Sequence, residues 1–280
     1  MGGIIVVRSW QQILKAGDVM LMHRILFEIG GIQIFSYGAM ISLAILVAAL
    51  ALHREAPREG INPDHALEAL IVGAISGLIG ARLLYAALHW EQFSSRPLTI
   101  LFARFEGLSF YGAFIGGAVA LFFWGRWRKI NFFKMADLFA PYLALGYAFG
   151  RIGCFLNGCC YGKVSDVPWA MPAALVDDLL RHPVQLYAAA GGVLIFLILK
   201  LLRKVRPFAG YNLLALAALY GILRFTTEFF RDEPVVWLGL TLAQLFSFLL
   251  TLFALAIMIA AMFWGAKNKR GKTRAVEQKK

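Results

Sequence analysis

Apolar residues in this chain come in long blocks rather than in an alternating pattern. A helix needs roughly 20 apolar residues to cross the hydrocarbon core of a membrane. Seven windows are long and apolar enough: 32–52, 67–89, 107–125, 136–156, 184–202, 210–230 and 238–264. The pattern therefore predicts an all-α, polytopic membrane protein with seven transmembrane helices.

Basic residues between the windows predict the orientation of the chain. Four segments that share one side in a seven-span arrangement hold 17 of the 28 Lys and Arg residues, and the other side holds eight. Because Lys and Arg are enriched in cytoplasmic loops, we expect the N-terminus outside and the C-terminus in the cytoplasm. We divide the chain into an outside N-terminal segment, 1–30, a seven-helix transmembrane domain, 31–265, and a basic cytoplasmic tail, 266–280. Met20 and Met22 are alternative starts, since 1–19 differ from the rest.

Composition agrees with a membrane protein and argues against nucleic-acid binding. The chain is 60% hydrophobic and 16% charged, whereas soluble domains carry about a quarter charged residues. Its net charge of +12 comes from the tail and from segments between apolar windows rather than from one binding face. We expect a multi-pass membrane protein and no nucleic-acid partner.

Three arginines interrupt the second, fourth and sixth windows: Arg82, Arg151 and Arg224. Each lies about 21–23 Å along its window, in the outer leaflet. An intramembrane arginine costs roughly 2.5–3.5 kcal/mol on insertion scales, and its planar fork binds phosphate oxygens. The set predicts a site for a lipid phosphate. The alternative for any one arginine is snorkelling or a structural ion pair, for which Glu228 follows Arg224 at i+4.

Three cysteines follow the fourth window in the sequence "GRIGCFLNGCCYG": Cys154, Cys159 and Cys160. On an oxidising side, Cys154 could form a disulfide with Cys159 or Cys160, and small buried hydrophobic residues are the simpler interpretation. The C-x4-C-C spacing is a poor zinc signature, so no metal and no cofactor is predicted. The small residues of "SFYGAFIGG" (109–117) suit either a ligand cavity or helix packing.

The order of these motifs resembles that of a known family. "MHRILFEIGGIQIFSYG", "GLSFYGAFIGG", "GRIGCFLNGCCYG", "RHPVQLY", "YGILRFTTEFFRDEP" and "GLTLAQLFS" are together similar to the phosphatidylglycerol–prolipoprotein diacylglyceryl transferases. The resemblance implies a seven-helix fold that transfers a diacylglyceryl group from phosphatidylglycerol to the lipobox cysteine of exported prolipoproteins. A thioether forms and glycerol 1-phosphate leaves.

The resemblance also implies roles for residues of this chain. Arg151 and Arg224 would be catalytic and bind phosphatidylglycerol, together with Tyr37, Asn157, Glu228 and Arg231, and Arg82 joins this set by its position. The family pattern often has histidine where this chain has Tyr111, asparagine at Cys154 and an acidic residue at Cys159. Tyr111 is therefore a candidate for orienting the thiol or the phosphate, and the general base stays open. His89 and His182 are weaker candidates for that base and are otherwise interfacial residues.

Two other function classes remain open from the residues alone. The three cysteines would suit a membrane thiol/disulfide oxidoreductase, although a Cys-x-x-Cys motif is missing. Arginines in the spans would also suit a transporter of anionic lipids, although the sequence has no visible inverted repeat. A lipid-binding scaffold without catalysis is a third alternative.

Overall fold

The structure is a computed structural model that describes residues 22–29, 32–94, 107–172 and 179–277. The interpretation of residues 1–19 falls outside this range. Of the basic tail, only the backbone up to Glu277 is described, as the continuation of a helix. The proposed roles of both segments therefore stay predictions.

Long helices dominate the described chain, and each predicted window overlaps one of them. Seven described helices have 18 residues or more: Ser36–Glu55 (α1), Pro63–Leu88 (α2), Phe110–Trp127 (α3), Phe132–Leu156 (α4), Val184–Leu202 (α5), Tyr211–Glu228 (α6) and Leu242–Glu277 (α7). A 3₁₀ turn, Ala56–Glu59, and a short helix, Trp90–Phe93, follow α1 and α2.

Five of these helices are long and apolar enough to cross a membrane. They are α1 with its 3₁₀ turn, α2, α4, α5 and the part Leu242–Trp264 of α7. The other two, α3 and α6, have 18 residues each. The structure thus supports a multi-pass helical protein, while the count of seven spans and the orientation remain predictions.

Local sequence explains where several helices begin. Asn62 caps α2 by accepting a hydrogen bond from the Asp64 amide at 2.8 Å, and Pro63 occupies the first helical position, where its missing N–H costs nothing. Ser109 accepts from the Gly112 amide at 3.4 Å at the start of α3. Such caps satisfy backbone donors that have no partner inside the helix.

Short strands are the feature that the all-α prediction missed. Three antiparallel pairs occur in the described chain: Ile25–Ile29 (β1) with Ile32–Phe35 (β2), Met171–Pro172 (β3) with Leu180–Arg181 (β4), and Val235–Trp237 (β5) with Leu240–Thr241 (β6). The first pair corrects the window 32–52, since α1 begins only at Ser36. β-Branched and aromatic residues favour this extended backbone, and hydropathy alone does not separate it from helix.

The chain divides into two compact units, and each has its own packing. Unit 2 comprises residues 47–139. Its helices α2 and α3 meet along glycines: a side chain at Gly80 would collide with the backbone of Gly112 and Gly116. Of the two interpretations of "SFYGAFIGG", helix packing is therefore the one seen in this unit, because small residues let two backbones approach closely.

Unit 1 comprises residues 1–46 and 140–280. Its core lies where α4, α5 and α6 pack, around the buried residues Ala140, Ala144, Ile195, Leu199 and Ala215. Helices α6 and α7 also touch closely, since a side chain at Gly221 would meet the Thr251 hydroxyl and the Ser247 carbonyl. The C-terminal ends of α4 and α6 carry the candidate site.

Candidate active site

The turn after α4 brings the cysteines together. Gly158 has a φ of 69°, and its amide donates to the Phe155 carbonyl at 3.0 Å, while the Cys159 amide donates to the Cys154 carbonyl at 3.1 Å. This pair of bonds is a Schellman motif, in which a left-handed glycine ends the helix and reverses the chain. The reversal lays Cys159 and Cys160 back over Cys154.

The three sulfur atoms form one cluster. All three Sγ atoms lie within 4.8 Å of one another, each side chain is half-buried, and all three thiols are free. The disulfide considered from the sequence is therefore absent in the described chain. In the part of the chain that the structure describes, this is the one group of three metal-ligating side chains.

Cys160 has an unusual backbone and an unusual charge environment. Its φ of 63° is a left-handed conformation that non-glycine residues adopt at a cost of about 1–3 kcal/mol. Hydrogen bonds from Cys154 and Cys159 hold the pKa of the Cys160 thiol below its usual range, and the positive charges of Arg151 and Arg231 lower it further. The two arginines therefore favour a negative charge on the Cys160 sulfur.

The "RHPVQLY" segment fixes the turn from the side of α5. Gln185 is buried, and its Nε2 donates to the Cys159 carbonyl at 2.7 Å. Its Oε1 is buried and has no partner among the described residues. Gly162 donates to the His182 carbonyl at 3.0 Å, and a side chain there would collide with Phe230, His182 and Val184. Sequence reasoning missed Gln185, because the sequence around a glutamine at a helix start does not indicate which group its side chain will hydrogen-bond.

Arg151 lies one turn before the cysteines on α4. Its guanidinium carbon is 4.9 Å from the centre of the Tyr147 ring, a cation–π distance. No carboxylate among the described residues pairs with it. A half-buried guanidinium whose charge is not neutralised by an acidic side chain is suited to bind an anion.

Arg224 has a different environment at the end of α6. Its Nη1 is 2.8 Å from Oε2 of Glu228, which is 2% exposed. The same oxygen is 3.4 Å from Nε of Arg231, and Arg231 also pairs with Glu233 at 2.6 Å. The i+4 ion pair considered from the sequence is therefore confirmed.

The second oxygen of Glu228 is also engaged. Its Oε1 accepts a hydrogen bond from the Thr241 hydroxyl at 3.2 Å, at the start of α7. The Gln244 side chain in turn accepts from the Thr241 amide at 2.9 Å. Glu228 thus holds the end of α6 to the start of α7 while it positions two arginines.

Tyr37 packs beside the cysteine turn. It lies in the first turn of α1, and a side chain at Gly153 would come within 3.1–3.2 Å of its ring and its Cα. Asn157 directly follows α4, and its side chain forms a hydrogen bond with the Cys159 thiol. The structure therefore brings Tyr37, Asn157 and Arg151 to the cysteine cluster.

The two remaining predicted site residues belong to unit 2. Arg82 donates to the Gly107 carbonyl at 3.1 Å and lies 5.3 Å from the centre of the Phe93 ring. The Tyr111 side chain is exposed at the start of α3 and contacts Phe110 edge-on. Their roles in a common site with Arg151 stay predictions.

The histidines considered as bases have other contacts. His182 lies 3.2 Å from the Tyr187 hydroxyl, which also accepts from Trp169 at 2.6 Å. The His89 ring stacks on Tyr85 with centroids 4.2 Å apart. Both belong to aromatic clusters near helix ends, and the choice between base and interfacial residue stays a prediction.

Known proteins with similar sequences identify the family. Residues 24–260 match the prolipoprotein diacylglyceryl transferase family. The chain belongs to the prolipoprotein diacylglyceryl transferase family. It is therefore a transferase, and the recognition from its motifs is confirmed.

Individual relatives in this family cover most of the chain. A phosphatidylglycerol–prolipoprotein diacylglyceryl transferase from Clostridium tetani is 37% identical over 76% of this chain and 87% of its own length. The enzyme of that name from Geobacter sulfurreducens is 36% identical, over 84% and 94%. That from Clostridioides difficile is 32% identical, over 89% and 98%. The similarity therefore extends well beyond the site motifs.

Proposed function

We propose that this protein transfers the diacylglyceryl group of phosphatidylglycerol to the thiol of a lipobox cysteine in exported prolipoproteins. The products are a thioether-linked prolipoprotein and glycerol 1-phosphate. Family membership supports the reaction class, and the names of the relatives supply the two substrates. The site in unit 1 supports the chemistry.

The observation that carries the proposal is the environment of Arg151. Its guanidinium lies over the Tyr147 ring with no acidic partner among the described residues. Negative charge grows on the phosphate as its bond to the glycerol carbon breaks, and a fixed guanidinium stabilises that charge. Arg151 binds the phosphate of phosphatidylglycerol in this scheme and is the main electrostatic catalyst.

Arg224 acts in the same site, but its positive charge is paired with the Glu228 carboxylate. Since Glu228 holds its guanidinium at 2.8 Å, Arg224 approaches the phosphate from a fixed position. Arg231, held by Glu228 and Glu233, has the same constraint. Tyr37 and Asn157 contact the lipid headgroup beside the cysteine turn, and the roles of Arg82 and Tyr111 rest on the sequence alone.

The lipid reaches the site from the membrane. We infer that all seven helices α1–α7 span a bacterial inner membrane, with the N-terminus outside and the C-terminus in the cytoplasm. An open, mostly apolar groove runs along the first turns of α1, next to Tyr37, and suits acyl chains. Its lining residues include Phe35, Gly38, Ala39, Ser42, Leu43 and Leu46.

A direct assay tests the proposal. The purified full-length protein is incubated with phosphatidylglycerol vesicles and a lipobox peptide, and mass spectrometry measures the diacylglyceryl addition to the peptide. A peptide with serine in place of the cysteine is the matched control, because its hydroxyl is a much weaker nucleophile. The proposal predicts addition to the cysteine peptide alone. Release of free diacylglycerol without peptide modification would contradict it.

A further inference from the structure

We propose that Cys154, Cys159 and Cys160 bind one Zn²⁺ ion as three thiolates, and that the fourth position binds the acceptor cysteine of the prolipoprotein. The identity of the fourth ligand rests on the proposed function, whereas the metal site does not. The proposal reverses the expectation from the sequence that the protein holds no metal. That expectation rested on spacing alone.

The positions of the sulfur atoms fit zinc. A Zn–S bond is about 2.3 Å, so two thiolates of a tetrahedral site are roughly 3.8 Å apart. The three Sγ atoms already lie within 4.8 Å of one another. Small side-chain rotations bring them into ligand distance. Zinc sites with three protein ligands and an open fourth position are typical of catalysis rather than of structure.

The backbone of the cluster is fixed before any metal binds. The Schellman motif at Gly158 holds Cys159 over Cys154, and Gln185 holds the Cys159 carbonyl. The thiol-to-backbone hydrogen bond that metal binding would break, from Cys159 Sγ to the Cys154 carbonyl, is long at 3.6 Å. Little is therefore lost when the three sulfurs turn toward a metal ion.

The surrounding charge favours an anionic metal cluster. One Zn²⁺ with three thiolates has a net charge of −1, and a fourth thiolate makes it −2. Arg151 and Arg231 both exert their positive charge on Cys160. Arg151 therefore offsets part of a charge that would otherwise be unfavourable in a half-buried site, whereas Arg231 is already paired with Glu228 and Glu233.

Zinc at this position would produce the thiolate nucleophile of the reaction without a general base. A coordinated thiol is deprotonated outright, so the acceptor thiol gives its proton to water as it binds. The sulfur electron pair then forms the S–C bond to the glycerol carbon, and the C–O electron pair leaves with the phosphate. The neutral thioether binds zinc weakly and leaves the metal. No atom changes its oxidation state, and no oxidant is required.

A buried acceptor lies next to the cluster. Gln185 Oε1 has no partner among the described residues, while Nε2 of the same amide bonds to Cys159. A buried oxygen without a donor requires an explanation such as water or a ligand. A backbone N–H of the acceptor peptide, or a water on the zinc, would satisfy it.

Metal content is the first test. The full-length protein, purified in detergent without added chelator, is measured by elemental mass spectrometry and by the intact mass under non-reducing conditions. We expect one zinc per chain, with loss of zinc in Cys154→Ser, Cys159→Ser and Cys160→Ser. A chain that takes up no zinc even after addition of the ion, or that is two hydrogens lighter through a disulfide, would overturn the proposal.

His182→Ala is the control for the open position. His182 lies in the segment that holds the cysteine turn and contacts Tyr187. If the metal has only three protein ligands, this variant keeps its zinc. Loss of zinc in the variant would mean a closed Cys₃His site, which leaves no place for the substrate and overturns the assignment of the fourth position.

Cobalt substitution tests the fourth ligand without any transfer. Co²⁺ in place of zinc gives visible d–d bands and near-ultraviolet thiolate charge-transfer bands. The cysteine lipobox peptide, added without phosphatidylglycerol, should shift the d–d bands and raise the charge-transfer intensity by roughly a third, since a fourth thiolate joins three. The serine peptide should do neither. Equal spectra for both peptides would overturn the proposed substrate ligand.

These outcomes are separable from the proposed function. Full transferase activity in a protein shown to be free of zinc would leave the function intact and overturn the zinc proposal. The protein could instead show the zinc site and the cobalt signature but fail to modify the peptide when phosphatidylglycerol is present. That result would leave the zinc proposal intact and overturn the proposed function.

Discussion

The ends of α4 and α6 carry the same residue type in opposite electrostatic environments. Arg151 lies five residues before the end of α4, and Arg224 lies four residues before the end of α6. Arg151 faces the Tyr147 ring without an acidic partner among the described residues, whereas Arg224 shares a buried glutamate with Arg231. An arginine in an apolar window can therefore either pair with a buried carboxylate or keep its charge for another partner.

The charge balance makes the difference concrete. At the end of α6, Arg224 and Arg231 are matched by Glu228 and Glu233, so these four residues are together neutral. At the end of α4, Arg151 contributes a full positive charge. The first arrangement suits a rigid support, and the second suits the binding of an anion.

Replacement of Arg151 by alanine is the largest expected effect. Transferase activity should fall about 10²- to 10³-fold, because a fixed charge in the transition state is lost. The melting temperature should change little, since the side chain has no carboxylate to release. Arg151→Lys should restore part of the rate, because it keeps the charge but loses the fork. Arg128→Ala, which breaks an exposed pair with Glu68, is the matched control for assay and folding.

Replacement of Glu228 by glutamine tests the support at the end of α6. The change leaves Arg224 without its partner and removes one partner of Arg231. Loss of one member of a buried pair costs about 3 kcal/mol or more, so thermal unfolding in detergent should occur at a clearly lower temperature. Glu233→Gln is the control, since that carboxylate is 40% exposed, and its loss should cost below about 1 kcal/mol. Equal shifts for both variants would contradict the comparison.

Replacement of Arg224 by alanine should reduce both activity and stability. Glu228 keeps Arg231 and the Thr241 hydroxyl, so the stability cost should be about 1.5–3 kcal/mol, the value of a hydrogen bond to a charged group. Adding Glu228→Gln to this variant should cost less stability than the same change costs alone, because Arg224 is no longer left without its partner. The rate should not recover. A double variant that regains full activity would show that Arg224 serves only the ion pair.

Replacement of Gly153 by alanine is the smallest expected effect. The new methyl group would meet Tyr37 and Met40 at 3.1–3.3 Å, which displaces the tyrosine and should lower activity a few-fold. Gly146→Ala on the same helix is the control, because nothing lies within 4 Å of a side chain there. That control should gain about 0.5–1 kcal/mol of stability from the better helix propensity of alanine. Gly153→Ala should therefore be detrimental to activity, whereas Gly146→Ala should be mildly stabilising.

Hydropathy predicted the helices because each of them is mostly a continuous apolar run. The prediction was wrong at the start of the first window, where Ile32–Phe35 forms a strand, because apolar strands and helices look alike over four residues. The Arg224–Glu228 pair was also within reach of the sequence, since i+4 spacing on a helix places two side chains together.

The cysteine cluster shows what spacing cannot predict. Cys154 and Cys160 meet because Gly158 adopts a left-handed backbone and because Gln185, 26 residues after Cys159, holds the turn. Neither condition follows from the identities of the cysteines. That Arg151 has no acidic partner among the described residues depends likewise on every neighbouring helix, which a local pattern does not contain.

Gly162 has a consequence for the order in which the protein is made. The residues after the cysteine turn form backbone hydrogen bonds with segments synthesised much later, since Gly162 bonds to His182 and Lys163 bonds to Phe230. A nascent chain that has been synthesised only as far as Cys160 holds Arg151 and all three cysteines but lacks the partners that fix them. The hydrogen bonds that hold the segment after the cysteine turn are therefore complete only once Phe230, just after α6, has been synthesised.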